Sequence, residues 1–306
     1  RDLDCFEVLC RILCKMSADP MSAAKISESK FVETFFWMIK MRSVNAQGAF
    51  GHGDEPEQQR RVVRAFWDVL WEWSYHPVIR RQYKHLFFEA AFGGGDVSDE
   101  DYGDESSCAI KESEPQDDGA ETPIQVEDAL DVILRHVDPD SDLAMQACGI
   151  FWNCFEEPGD IAEFEPVFLE RGIVNRMGSV LLQSDNAGVL TCCVGALRNL
   201  VQTDTLTFHV TSLEGVVDRI RSLLDKDTVE AMIRAQKVRM EGDPAVRFRG
   251  GAPELSSEDA ASALSSASSV SAAAGRLREA ARLALKRIMG EDDVEEVSAI
   301  QRRWGR

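Results

Sequence analysis

The chain repeats itself, and the spacing of the repeat limits what it can fold into. Two apolar helical phrases, Cys148-Gly149-Ile150-Phe151-Trp152-Asn153-Cys154 and Val194-Gly195-Ala196-Leu197-Arg198-Asn199-Leu200, each place a Gly four residues ahead of an Asn. Gly149 to Gly195 and Asn153 to Asn199 span the same 46 residues. A recurrence of that length is the period of an α-solenoid, in which each unit buries its apolar face only against the next. Such a stack presents long helical faces, and the function expected of it is binding.

Further registers extend the pattern. A shift of 81 residues takes Trp71 to Trp152, Pro77 to Pro158 and Phe87 to Phe168. A shift of 48 takes Val126 to Val174 and Ile133 to Leu181. A shift of 43 takes Gly172 to Gly215, Val174 to Val217 and Arg176 to Arg219. The difference between 81 and 48 is close to the length of an acidic stretch, so that stretch splits one unit between its short helix and its second helix. The unit reads as short helix, medium helix, long helix.

Apolar residues at helical spacing predict helices over 2–16, 31–41 (with Ser29 as N-cap), 57–75 and 77–92. Asp19-Pro20 is read as the end of the first. After Thr122-Pro123, which has the form of a helix start, helices are predicted over 124–137, 142–157, a short one to Glu170, 173–183, a long apolar one capped by Ser184-Asp185 and running to Gln202, 204–212, 214–225, 226–241 and 276–289. The last carries Leu277, Ala281, Leu285 and Ile288 on one face. Trp67, Trp71 and Trp73 load the 57–75 helix with aromatic surface. The expected use is core packing, with one of them facing a groove as the sharper alternative. No period-two pattern competes, so the fold class is all-α.

Two inserts and a tail interrupt the helices. Residues 93–122 hold eleven acidic residues and one basic one, Lys111, which is −10 of the chain's −19. Such a segment buries too little apolar surface to offset chain entropy and is expected to be disordered. Residues 242–275 are Pro/Gly-rich, then Ser/Ala-rich, and read as a second flexible insert. Residues 291–306 form a charged tail, and 1–290 the helical domain. Because the sequence starts at Arg1 in an apolar helix, it is expected to be a fragment or one end of a longer array.

The unit, and above all the phrase Gly195-Ala196-Leu197-Arg198-Asn199-Leu200, resembles the armadillo repeat of β-catenin and plakophilin type. The resemblance covers residues 57–225 well, and 1–42 and 276–289 as partial units. It implies a right-handed, armadillo-like solenoid of about four full or partial repeats with two disordered inserts. It also implies a concave groove lined by third helices, whose Asn side chains hold an extended peptide. At the matching position the chain has Asn153 and Asn199, with Glu72 in the first unit. Gln146, Trp152 and Arg198 complete the expected groove residues. An amide suits that task because it offers a donor and an acceptor to a backbone N–H and C=O. Importin-α-type repeats place a Trp where Gly149 and Gly195 stand, so a receptor for basic import signals is disfavoured.

The expected function is therefore a non-catalytic scaffold that binds a protein or peptide along the concave face. The alternative is a chaperone cofactor of the armadillo-like nucleotide-exchange type. The five His form no metal motif, no Cys pair has zinc spacing, Gly93-Gly94-Gly95 lacks the residues of a phosphate loop, and no nucleophile elbow is present. No enzyme, cofactor, metal or small-molecule ligand is expected. The acidity disfavours nucleic acid and favours a basic partner. No run is long enough to span a membrane. The eight Cys sit mostly among apolar residues, as reduced core thiols do, which predicts a cytoplasmic, or else nuclear, location.

Overall fold

The computed structural model describes residues 2–29, 31–36, 56–88, 129–242 and 267–290. They form helices α1 (Asp2–Ser17), α2 (Pro20–Glu28), α3 (31–36), α4 (Pro56–Ser74) and α5 (Pro77–Phe88). These are followed by α6 (Ala129–Arg135), α7 (Ala144–Cys154), α8 (Pro158–Glu170), α9 (Ile173–Gln183) and α10 (Ala187–Leu200). Then come α11 (Asp204–Ser212), α12 (Val216–Ser222), α13 (Lys226–Gly242) and α14 (Ala267–Met289). No strand occurs among the described residues, and the molecule is all-helical as the periodicity predicts.

Local chemistry sets the helix ends. The Asn186 side chain accepts from the N–H groups of Gly188 and Val189 and starts α10, one residue after the Ser184-Asp185 cap expected from sequence. Thr203 does the same for α11 through Leu206. Helices α9 and α12 each follow a left-handed glycine, Gly172 (φ 62°) and Gly215 (φ 79°). These two glycines are related by the 43-residue shift, and a side chain is strained at that φ.

Helix α2 is a departure from the sequence reading. Asp19 accepts from the Ser22 N–H at 2.9 Å and Pro20 occupies the first turn, so Asp19-Pro20 opens a helix rather than only closing one. Ser29, read as the N-cap of the next helix, is the C-cap of α2. Helix α14 begins at Ala267, so residues 267–275 are helical where flexible chain is expected. Of the other expectations, the loop at 43–55, the acidic insert 93–122, the first turn of the helix predicted from 124, residues 243–266 and the tail 291–306 lie outside the described residues.

The long helices pack side by side in one series. Helix α4 lies between α1 and α7, α7 between α4 and α10, and α10 between α7 and α14. Helices α5, α8 and α9 pack behind them. One apolar core runs from Cys10 in α1 to Ile288 in α14. Aromatic rings from neighbouring helices meet in it: Phe88 of α5 stacks on Phe164 of α8 at 3.7 Å, and Phe155 and Phe168 meet edge to face at 5.0 Å. Nearer the N-terminus, Phe35 packs on Phe66 and Trp73 at 4.9 and 5.0 Å. Fully burying each such ring contributes roughly 1.5–3 kcal/mol.

Candidate interaction surface

The glycines of the repeated phrase are seats for side chains of the preceding long helix. A Cβ at Gly149 of α7 would stand 2.5 Å from the indole nitrogen of Trp71 on α4. A Cβ at Gly195 of α10 would stand 2.5 Å from ring carbons of Trp152 on α7. Two turns earlier on α10, a Cβ at Gly188 would stand 2.7 Å from the sulfur of Met145. Met145 and Trp152 are seven residues apart, as are Gly188 and Gly195, so α7 sets two knobs into two matching seats on α10. The backbones approach closely only because the seats have no side chain.

The asparagines of the phrase work at the same junctions. Asn199 is 3% exposed. Its Nδ2 donates to the Trp152 carbonyl at 2.7 Å, and its Oδ1 accepts from Arg198 Nε and Nη2 at 3.2 and 3.0 Å. Asn153 Nδ2 donates to Ser74 Oγ at 2.8 Å, at the end of α4. The Asn153 side chain also meets the Tyr75 hydroxyl. Each Asn therefore ties its helix to the C-terminal end of the one before. Asn199, expected as an amide open to a peptide backbone, is buried here with its Oδ1 on Arg198 and one of its two Nδ2 hydrogens on the Trp152 carbonyl. Asn153 remains half-buried at the surface.

Gln146 is also withdrawn, at 1% exposure, with Nε2 donating to Asp68 Oδ1 at 2.9 Å. Its Oε1 has no hydrogen-bond partner. The remaining expected residues stay half-exposed: Glu72 on α4, Trp152 on α7 and Arg198 on α10. Of the three tryptophans of α4, Trp67 and Trp73 are core, at 1% and 0% exposure, while Trp71 is half-buried on the Gly149 seat. Sequence reading misses Asp68 and Tyr75, which share the Trp71 face of α4. The i, i+3, i+4, i+7 spacing of 68, 71, 72 and 75 carries the signal that would have found them.

The face is acidic around α4. Burial, then the carboxylates of Asp68 and Glu72, push the Cys14 thiol of α1 up to about 11. Burial, with smaller contributions from Cys192 and then Glu72, raises the Tyr75 phenol above its ordinary value, against a hydrogen bond with Asn153 that lowers it.

A second device recurs behind the face. Arg176 of α9 donates to the Leu134 carbonyl at the end of α6. Arg219, 43 residues on, donates to the Leu181 and Ser184 carbonyls at the end of α9 and pairs with Asp185 at 3.5 Å. Arg278 of α14 donates to the Leu224 carbonyl after α12 at 2.9 Å. Cationic side chains suit the negative ends of helices.

A concavity of about 760 Å³ lies where the starts of α7 and α10 meet α13. Met145, Val189 and Met232 line it with Arg64, Asp142 and the buried Gln146. Its titratable lining is Arg64, Asp140, Asp142, Asp185 and Arg219, with no histidine or thiol. Among the described residues no group of His, Cys, Asp and Glu is placed to hold a metal ion. No described helix is long and apolar enough to cross a membrane. The seven described cysteines are free, and five of them are buried. Comparison with protein-family models, curated proteins and solved structures finds no match.

Proposed function

We propose that the chain is an armadillo-like, non-catalytic scaffold that binds a protein or peptide along the face shared by α4, α7 and α10. The observation that carries this reading is one junction built twice. At α4/α7 and again at α7/α10, a tryptophan sits on a glycine and an asparagine ties down the preceding helix end. Nearest-neighbour stacking of this kind is how repeat arrays hold long helices side by side. On this reading α1, α4, α7, α10 and α14 are the third helices of about four full or partial right-handed units. Half-exposed Trp71, Trp152 and Arg198, with exposed Tyr75, then form one surface, and exposed Glu156, paired with Arg80 of α5, lies just past the end of α7. Rigid aromatic side chains and arginine are the types that dominate binding energy at protein interfaces. The free, mostly buried thiols suit a reducing compartment, the cytoplasm or nucleus.

Photo-cross-linking tests the reading from exposed positions, with circular dichroism confirming that loss of the Glu156–Arg80 pair or the Tyr75–Asn153 contact leaves the helices folded. A benzophenone side chain replaces exposed Tyr75 on the face, exposed Glu156 just past α7, or Phe208 on α11, which is 69% exposed and lies away from the face. In extract, positions 75 and 156 should give a shared polypeptide adduct that position 208 does not. Adducts equal at all three positions, or none at 75 and 156, would overturn the proposal.

A further inference from the structure

One part of this face has carboxylates and ring faces but, among the described residues, no cation paired with them. Asp68, Trp71, Glu72 and Tyr75 follow each other at i, i+3, i+4 and i+7 along α4, so they form one stripe. Asp68 is exposed, Trp71 and Glu72 are half-buried, and Tyr75 is 54% exposed. The Trp71 and Tyr75 rings lie with centroids 6.3 Å apart, tilted by 36°. Trp71 is held in place by its seat on Gly149, and Tyr75 by Asn153.

Neither carboxylate has an ion-pair partner among the described residues. The hydrogen bond of Asp68 is to the neutral Gln146 amide. Gln146 is 1% exposed, and its Oε1 is buried and meets no donor among the described residues, so Gln146 holds Asp68 without neutralising it. Leaving a buried acceptor unmatched costs about 1–3 kcal/mol. Around the stripe, Cys14 on α1 feels Asp68 and Glu72, and Tyr75 feels Glu72. Arg64, one turn earlier on α4, lines the concavity at the helix starts together with Gln146, so that concavity adjoins the stripe.

The complement of this stripe is a cation with several N–H donors and an aliphatic stem. A guanidinium or ammonium group satisfies two carboxylates together, and also lies favourably over Trp and Tyr rings. The stem would cover the apolar flank that Trp71 presents. The formal charge of −19 adds long-range attraction for a basic partner. We propose that the Asp68–Trp71–Glu72–Tyr75 stripe seats an arginine or lysine side chain of the partner polypeptide. The inference rests on the interaction face proposed above and names what that face reads.

The test uses the full chain and a fluorescent peptide of alternating arginine and glycine, followed by anisotropy at moderate salt. The chain's general acidity will attract such a peptide, so the comparison is between variants of equal charge. Asp68→Asn with Glu72→Gln removes two charges from the stripe without changing its shape. Glu163→Gln with Glu170→Gln removes two exposed charges from α8. Tyr75→Leu removes a ring without touching charge.

The stripe variant should weaken binding by about tenfold or more, and Tyr75→Leu by about threefold, whereas the α8 variant should cost less than about twofold. Equal losses from the stripe and α8 variants would mean diffuse attraction and overturn the proposal. Displacement of the peptide by free spermine at matched charge concentration would overturn its polypeptide part, making the seat one for small amines. If cross-linking from position 75 captures a polypeptide but the arginine peptide ignores the stripe, the face stands and the cation seat falls. If both fail, both fall.

Discussion

The two Gly–Asn phrases show that a repeated residue in an array is repeated for its neighbour. Glycine inside a helix costs about 1 kcal/mol relative to alanine, so its presence at 149 and 195 needs a compensating reason. The reason is the indole that would stand 2.5 Å from a Cβ. Gly195→Ala sets that helical gain against about 1–3 kcal/mol of overpacking at Trp152. The net expectation is destabilisation of about 0–2 kcal/mol in urea unfolding. Gly275 provides the control, because it lies inside α14 and a Cβ added there would meet nothing within 4 Å. Gly275→Ala should therefore stabilise by about 0.5–1 kcal/mol. A stabilised Gly195→Ala chain would show that Trp152 moves aside freely and that the seat constrains nothing. The spacing of these residues is legible in the sequence because it is a property of one helix. Their partners are not, because Trp71 and Gly149 are 78 positions apart and only packing brings them together. The same limit explains Asn199: its residue type suggests a peptide-holding amide, while the neighbouring helix end that it bonds is a tertiary fact.

Among the elements, periodicity locates α1, α4, α5 and α7 to α12 to within a few residues, because each has an apolar face long enough to show 3.6-residue spacing. Helix α2 escapes because nine residues with only Ala23, Ile26 and Ser27 buried leave too short a stripe to read. Its start, Asp19-Pro20, has the same capping logic as the Thr122-Pro123 pair. The Ser/Ala composition of 267–275 hides the first turns of α14, where Ala274 is nevertheless buried. Helix α14 matters beyond its length, because it covers the outer side of α10 through Leu277, Ala281, Ala284 and Leu285, each at most 1% exposed. Leu285→Ala should cost about 2–5 kcal/mol in equilibrium unfolding, the range for a fully buried leucine in a core that collapses incompletely. It should also raise the binding of a hydrophobic dye as α10 becomes uncovered. A loss below about 1 kcal/mol with no dye response would mean that α14 is not a working part of the stack.

For the whole molecule, a stack of this kind distributes stability unevenly. Helices α7 and α10 have long helices on both sides, and their buried residues include Ala147, Cys148, Ile150, Cys193, Val194 and Leu197. Among the described residues helix α1 has a long neighbour on one side only, and it leaves Val8, Leu9, Ile12 and Met16 43–54% exposed. Helix α13 buries Val229 fully, while its Val238 is 67% exposed. When stability is a sum of unit and nearest-neighbour terms, local opening follows the number of neighbours. Amide exchange followed by mass spectrometry should therefore rank peptides from α7 and α10 as slowest, those from α4, one of whose two long neighbours is the easily opened α1, as intermediate, and those from α1 and α13 as fastest. Exchange differences of about a hundredfold between centre and end correspond to about 2.7 kcal/mol, well within the range that local opening spans. Equal protection across all five helices would instead mean that the chain opens as one cooperative unit. In that case Trp71–Gly149 and Trp152–Gly195 would be parts of a single core rather than separable junctions. The gradient also bears on binding: a partner lying along α4, α7 and α10 would slow exchange most in α4, the least protected of the three, because that helix has the most opening to lose.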